Sequence, residues 1–192
     1  TYARAFGGGA PLISKQTGIP IEEVKELIKV EDNVYAGLKR YNDKLKETVE
    51  FTAQRLPNSP FSRGFYASFT GRRYYFTNEL APKFLQDQGI MYSFRPTKVK
   101  NYKVQGTAYD VISTMGGRFW REYGQFNRDK YLMINFVHDE FDFDCKPEHI
   151  NLLKIHAKIL TEVEITMKQV YNYNWELPVK VDIKHGSSWG DC

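Results

Sequence analysis

Apolar residues recur at helical spacing through the first third of the chain. From about Asn33 to Leu56 they fall every three or four positions, which predicts a long amphipathic helix. A second helix is predicted from Pro20 to about Val30, because proline suits a first turn and Glu22 and Glu23 would face the positive end of the helix dipole. A short helix, Leu12 to Thr17, is predicted before them, closed by Gly18.

After the break at Pro57–Pro60, the spacing of apolar residues changes from a helical period to an alternation of every second residue. The segments Phe65–Phe69 and Arg73–Thr77 predict two strands of a hairpin that turns at Thr70-Gly71. A basic loop is expected from there to about Lys103, followed by a helix from Gly106 to about Tyr123.

The last third predicts a second hairpin. Tyr131–Val137 is a strongly apolar strand, and Glu140–Asp144 alternates acidic and aromatic residues, so a very tight turn at His138-Asp139 must join them. A long helix is predicted from Pro147 to about Tyr171, and a last strand from Val179 to Lys184. This order of elements predicts an α+β fold with a mainly antiparallel sheet.

Composition narrows the class of protein. The chain has 192 residues, of which 42% are hydrophobic and 26% charged, as in one folded domain or lobe. It contains no apolar run of about 20 residues and no secretory signal, so no membrane association is expected. Cys145 and Cys192 could pair, but two isolated thiols favour a reducing compartment, and neither forms a CxxC zinc motif. A cytoplasmic location is therefore expected.

Basic residues cluster although the net charge is only +4. Arg95, Lys98, Lys100 and Lys103 fall in a stretch without acids, and Arg55, Arg63, Arg72 and Arg73 precede them. Such clusters can neutralise phosphates, and a solvated basic face is the alternative.

The segment His138-Asp139-Glu140 brings two carboxylates and an imidazole to one turn. Adjacent carboxylates are costly to hold together unless a cation neutralises them, and oxygen ligands of this kind suit Mg²⁺. The alternative is an ordinary exposed polar turn.

Two other segments carry candidate binding residues. Asn101 and Gln105 lie four residues apart at a helix entry, where amide side chains can read minor-groove acceptors or merely cap the helix. Tyr2 and Phe6 share one helix face beside Gly7, with plain core packing as the alternative.

Together these segments resemble family A DNA polymerases, which are DNA polymerase I-like, here of the phage type. The resemblance rests on Tyr2 with Phe6-Gly7, on the Asn-x-x-x-Gln-Gly-Thr-Ala-x-Asp pattern from Asn101 to Asp110, and on Val137–Glu140, in that order. The hairpin residues Thr70-Gly71-Arg72-Arg73 also match, so the resemblance covers essentially the whole chain. It implies a fragment of a right-hand polymerase, with fingers-side helices in residues 1–60 and an antiparallel palm in residues 61–192.

The resemblance also implies roles for individual residues. Asp139 would be a ligand of a two-Mg²⁺ site, Glu140 its acidic neighbour, and His138 a contact of the primer terminus. Phe6 and Gly7 would lie beside the template base and the incoming dNTP, and Tyr2 near the sugar, which implies acceptance of dideoxynucleotides. Primer–template contacts would come from Asn101, Gln105, Arg72, Arg73, Arg95, Lys98, Lys100 and Lys103.

The chain departs from the family pattern in ways that bear on activity. The other catalytic Asp of the family has no counterpart here, and the Arg and Lys that bind the triphosphate would fall before Thr1. Thr97 stands where many relatives have Arg. We therefore expect that the chain needs an N-terminal polymerase half and does not polymerise alone. It would be either the natural product of a split or spliced gene or an arbitrary fragment.

Three rival functions remain open at the level of sequence. A single-subunit RNA polymerase shares the His-Asp turn, although Glu140 and Gln105-Gly106-Thr107-Ala108 favour DNA synthesis. A non-catalytic DNA-binding module could use the basic clusters alone. A metal-dependent hydrolase is disfavoured, because the remaining histidines show no ligand spacing.

Overall fold

The computed structural model describes residues 8–191. The chain divides into two compact units between Gly106 and Thr107. This point differs from the boundary at residue 60 expected between fingers and palm, and that assignment of subdomains stays a prediction. None of the helices in the described part is both long and apolar enough to span a bilayer. The cytoplasmic location also stays a prediction.

In the first unit, the described residues up to Phe51 form three helices, which confirms the predicted helical region there. They are α1 (Ala10–Thr17), α2 (Ile21–Val34) and α3 (Ala36–Phe51). Gly18 closes α1 as predicted, with a φ of 75° and its N–H bonded to the Ser14 carbonyl. Tyr35, with φ −104° and ψ 43°, separates α2 from α3, so the predicted helix that spans Asn33 to Leu56 is shorter at both ends.

The predicted first hairpin is confirmed, with a small shift in its first strand. β2 (Ser62–Ala67) pairs antiparallel with β3 (Arg73–Thr77), and a short β1 (Gln54–Arg55) pairs with the other edge of β2. Gly64 lies against α3, where a Cβ would be 1.9 Å from the Val49 carbonyl oxygen. The core of this layer contains Leu45, Val49, Tyr66, Phe76, Phe94 and Val99.

The next elements correct the prediction of a basic loop. A small sheet of β4 (Glu79–Leu80) and β5 (Tyr92–Ser93) flanks α4 (Lys83–Gln86), and the 27-residue helix α5 (Pro96–Glu122) follows at once. The predicted loop up to Lys103 is therefore wrong from Pro96 onward. Proline suits a first helical turn, and Val99, only 1% exposed, packs into the hairpin core, so the polar residues around it adopt helix.

The second unit contains the predicted second hairpin. β6 (Tyr131–Val137) pairs antiparallel with β7 (Glu140–Cys145). Phe119 of α5 packs against Tyr131 and Phe143 at its base, with ring centroids 6.1 and 5.1 Å away. The fold is thus α+β with antiparallel pairing as expected, although the described strands form three small sheets and no single large one.

Two predictions for the end of the chain are wrong. The helix expected from Pro147 to Tyr171 is broken into a 3₁₀ turn at Pro147–His149, α6 (Ile150–Ala157), a 3₁₀ turn at Lys158–Thr161 and α7 (Val163–Tyr171). The strand expected at Val179–Lys184 is irregular and mostly exposed. A strand needs a neighbour for its backbone hydrogen bonds, and none pairs with it among residues 8–191.

Candidate functional site

The candidate catalytic residues lie in the two-residue turn between β6 and β7. Val137 is paired with Glu140, so only His138 and Asp139 connect the strands, as predicted. His138 has a φ of 53°, a left-handed conformation that few residues other than glycine adopt. His138, Asp139 and Glu140 are all exposed. The turn therefore presents an imidazole and two carboxylates to solvent on a strained support.

A row of aromatic rings fixes the position of this turn. Phe136 stacks on Phe141 with ring centroids 4.9 Å apart, and Tyr109 of α5 stacks on Phe136 at 5.8 Å. Phe136 and Phe141 are also register partners in the hairpin, one step behind Val137 and Glu140. The end of the hairpin is thereby held against α5.

Gly116 of α5 makes this packing possible. A Cβ at this position would lie 2.8 Å from Cε1 and 2.9 Å from Cζ of Phe141. The sequence prediction did not include Tyr109 or Gly116 in the site. The signal was present, since glycine inside a helical pattern indicates a close approach and these two residues share a face, seven positions apart.

A β-bulge in β6 decides which residues face the helix. The register passes from Met133 opposite Phe143 to Asn135 opposite Asp142, so Ile134 has no partner of its own in β7. Because an inserted residue reverses the alternation of faces, Phe136 can face α5 while the strand continues into the turn.

The donor set of the turn fits magnesium better than it fits other metals. Mg²⁺ usually takes one or two protein carboxylates and completes its octahedron with water and substrate phosphates. Asp139 and Glu140 supply two exposed carboxylates at neighbouring positions. Residues 8–191 contain no group of three or more His, Cys, Asp or Glu side chains that could hold a metal ion, so they offer no closed site of the structural zinc type.

The base of the same hairpin holds a partly buried cluster that the sequence did not predict. The Tyr131 hydroxyl lies 2.5 Å from Nδ1 of His156, and Tyr123 stacks on the imidazole at 4.2 Å. Burial raises the pKa of Tyr131 to about 12. Burial, helped by the charge of Lys130, lowers the pKa of His156. The cluster joins β6 to α6.

Asn101 and Gln105 lie on the first turns of α5, in the first unit. Val99, Tyr102 and Gly106 define the helix face that packs on the first hairpin. At 100° per residue, Asn101 and Gln105 lie together on a different face, and Gln105 is exposed. The predicted pairing of the two amides on one helix face is therefore present.

The predicted DNA-binding cations do not form a single patch. Arg73 lies over the Phe65 ring, on the face of the hairpin opposite Tyr66 and Phe76, with 4.9 Å between its Cζ and the ring centroid. Lys103 lies over the ring of Tyr66, on the core face. The guanidinium of Arg95 forms an ion pair with Glu79. Arg72 and Lys98 are exposed and Lys100 is half-buried.

The predicted nucleotide-binding residues Tyr2, Phe6 and Gly7 lie outside the described residues, so their roles rest on the sequence alone.

Comparison with known proteins identifies the family. The family model of DNA polymerase family A matches residues 1–191. The chain is 24% identical over 192 residues to DNA polymerase theta of Caenorhabditis elegans, a match that covers 99% of this chain and 10% of that protein. It is 29% identical over 110 residues to the DNA polymerase of Mycobacterium phage D29, covering 57% of this chain and 14% of that one. The chain thus spans only a small part of the length of these relatives.

A solved structure shows the same fold. The chain matches the POL domain of Pol1 from M. smegmatis, determined in complex with DNA primer-template and dNTP, with a TM-score of 0.66 and 20% identity. The match covers 99% of this chain and 29% of that chain. Since the family model extends over all but the last residue, the chain belongs to DNA polymerase family A.

Proposed function

We propose that this chain forms the part of a template-directed DNA polymerase that carries the catalytic turn and contacts the primer–template. The observation that carries the proposal is the turn itself. A strained two-residue connection presents His138, Asp139 and Glu140 to solvent at the end of a hairpin braced on α5, in a chain of this family. An ordinary polar turn does not need that aromatic support.

The reaction we propose is nucleotidyl transfer. The 3′-hydroxyl of a primer attacks the α-phosphate of a dNTP, and pyrophosphate leaves. Two Mg²⁺ ions, when bound, supply charge neutralisation at the attacking and leaving oxygens. Asp139 holds the metal site with Glu140 beside it, and His138 contacts the primer terminus. The turn, braced on α5 by Tyr109, Phe136 and Phe141, contributes by positioning these groups before substrate arrives.

Other predicted site residues contact the primer–template and the incoming nucleotide. Asn101 and Gln105 contact the minor-groove edge of the primer–template near its end, and Arg72, Lys98, Lys100 and Lys103 contact phosphates. Arg95, Arg73 and Lys103 contribute less, because Arg95 is paired with Glu79 and the other two lie over the rings of Phe65 and Tyr66. The incoming nucleotide contacts Tyr2, Phe6 and Gly7. We assign residues 1–60 to the fingers and 61–192 to the palm.

We propose that a further polymerase segment completes the active site. The turn supplies two carboxylates, and the resemblance to the family calls for another catalytic Asp that has no counterpart in this sequence. An N-terminal polymerase half is therefore the partner we propose, with primer–template DNA and dNTP as ligands. This chain alone should not extend a primer.

The test is primer extension with Mg²⁺ and dNTPs by this chain combined with the N-terminal half of a family A polymerase. The Asp139→Asn variant is expected to lose activity about a hundredfold or more, because it loses a charge at the reacting phosphates. Asp144→Asn is the matched control, since Asp144 is an exposed carboxylate of β7 away from the turn. Equal extension by wild type and Asp139→Asn would contradict the proposal.

The rival functions give other outcomes in the same assay. Synthesis of RNA without a primer would favour the RNA polymerase alternative. Binding of duplex without any extension by the combined halves would favour a non-catalytic module.

A further inference from the structure

A tyrosine of the first hairpin bonds to the helix that carries the predicted minor-groove residues. The Tyr74 hydroxyl donates a hydrogen bond of 3.0 Å to the carbonyl oxygen of Gly106. Gly106 directly follows Gln105 and lies in the interior of α5. A helical carbonyl has a second lone pair beyond its bond within the helix, so this contact does not compete with the helical hydrogen bonds.

Gly106 is needed for this contact. A Cβ at this position would lie 2.6 Å from both Cζ and the hydroxyl oxygen of Tyr74, and 2.8 Å from Cε1. Any side chain there would move the tyrosine ring or the helix. The glycine is a poor helix former in mid-helix, and this close approach explains its position.

Tyr74 is itself held in place. Its ring stacks on Tyr66, its register partner in β2, with centroids 5.2 Å apart. Tyr66 in turn stacks on Phe76 at 5.8 Å, and Phe76 meets Tyr102 of α5 edge-on at 5.6 Å. The first hairpin therefore contacts α5 at two points, Tyr102 and Gly106, which lie about one helical turn apart.

We propose that Tyr74 is a positioning residue that sets the rotation and depth of the first turns of α5, so that the amides of Asn101 and Gln105 reach the primer terminus. The inference rests on the proposed function. Hydrogen bonds to base edges require donor–acceptor distances of about 2.7–3.2 Å, so a small rotation of the helix loses them. Gln105 is one residue from the contact and is the more sensitive of the two amides.

The test compares two primer–templates in binding to the 192-residue chain by fluorescence anisotropy. One ends in dA at the primer terminus, and the other in 3-deaza-dA, which lacks the N3 acceptor of the minor groove. The Kd for the 3-deaza-dA duplex divided by the Kd for the dA duplex reports hydrogen bonding to the minor-groove N3 alone. Wild type should prefer dA, and Gln105→Ala should bring the ratio close to one.

Tyr74→Phe keeps the ring and removes only the hydroxyl. We expect it to reduce the ratio of Kd values about threefold or more, as for loss of a hydrogen bond of ordinary strength, while binding of the 3-deaza duplex changes less. Tyr75→Phe is the matched control, because Tyr75 is exposed on the other face of β3. Gly106→Ala improves helix propensity and displaces the Tyr74 ring, so it should reduce the ratio without loss of helix.

Each outcome decides a different point. An unchanged ratio in Tyr74→Phe, or an equal fall in Tyr75→Phe, overturns the role of Tyr74 and leaves the proposed function intact. A wild-type ratio of one overturns minor-groove reading by Gln105, and the role of Tyr74 with it.

Discussion

Phe136 stacks on Phe141 directly behind the turn that carries Asp139, with 21° between the ring planes. We predict that Phe141→Ala lowers the free energy of unfolding by about 2 kcal/mol, less than for a fully buried phenylalanine because Phe141 is half-buried. Phe141→Leu should cost less, since it keeps most of the contact with Gly116. Urea unfolding measures the free energy of unfolding of each variant. Equal stability of wild type, Phe141→Ala and Phe141→Leu would contradict this packing behind the turn.

Gly64 provides the sharpest test of the packing in the first unit. A Cβ there would lie 1.9 Å from the Val49 carbonyl oxygen, which belongs to backbone and cannot easily move. Gly64→Ala should lower the free energy of unfolding by about 3 kcal/mol. Gly37→Ala is the control, because Gly37 lies in α3 with open space around it and alanine should stabilise that helix by up to about 1 kcal/mol. Similar effects of the two substitutions would show that α3 does not pack as described.

Lys98 of α5 and Arg95, which directly precedes that helix, should differ in their effect on the salt dependence of DNA binding. Lys98 is exposed, so Lys98→Ala should reduce the slope of log K against log salt by about one. Arg95→Ala should reduce it less, because the guanidinium is already paired with Glu79. Anisotropy titrations at several salt concentrations measure the slopes, with Lys25→Ala of α2 as the control. An equal reduction for Arg95 and Lys98 would contradict the prediction.

The His156 cluster should make stability depend on pH. Its folded-state pKa is lowered by burial, so the unfolded chain binds a proton more readily. Its contribution is complete above the unfolded pKa of about 6.5 and is lost as the pH falls through the lowered folded value. A neutral ring can accept the hydrogen bond of Tyr131 at Nδ1, whereas a protonated ring cannot.

His156→Phe keeps a ring on Tyr123 and removes this titration. We predict a lower Tm than wild type at about pH 7.5, with a smaller further decrease down to about pH 5. His185→Gln, at an exposed position, should keep the wild-type dependence. Thermal unfolding by circular dichroism at each pH measures this, and parallel curves for wild type and His156→Phe would contradict it.

The parts of the fold that the sequence predicted are those with strong local signals. The turn at His138-Asp139 follows from an apolar strand beside an alternating one, and Gly18 ends α1 because glycine adopts a positive φ without strain. The family match confirms the resemblance read from the motifs. The roles of the individual site residues stay predictions.

The parts that the sequence missed depend on contacts between distant segments. The first residues of α5 are mostly polar, so the sequence predicts a loop there. They form helix because Val99 packs into the core of the first hairpin, which the sequence does not show. The hydrogen bond of Tyr74 to Gly106 and the contact of Tyr131 with His156 join residues that periodicity cannot pair. Val179–Lys184 has a strand pattern, but pattern alone cannot supply the neighbouring strand that it needs.

We propose that Asp139 binds a metal ion during catalysis, and a change of metal preference tests this role most directly. Asp139→Cys in the combined halves replaces a hard oxygen ligand by a softer thiolate. Primer extension should fail with Mg²⁺ and recover in part with Cd²⁺, while Asp139→Ala should recover with neither. Extension by Asp139→Ala with Mg²⁺ at the wild-type rate would contradict the account.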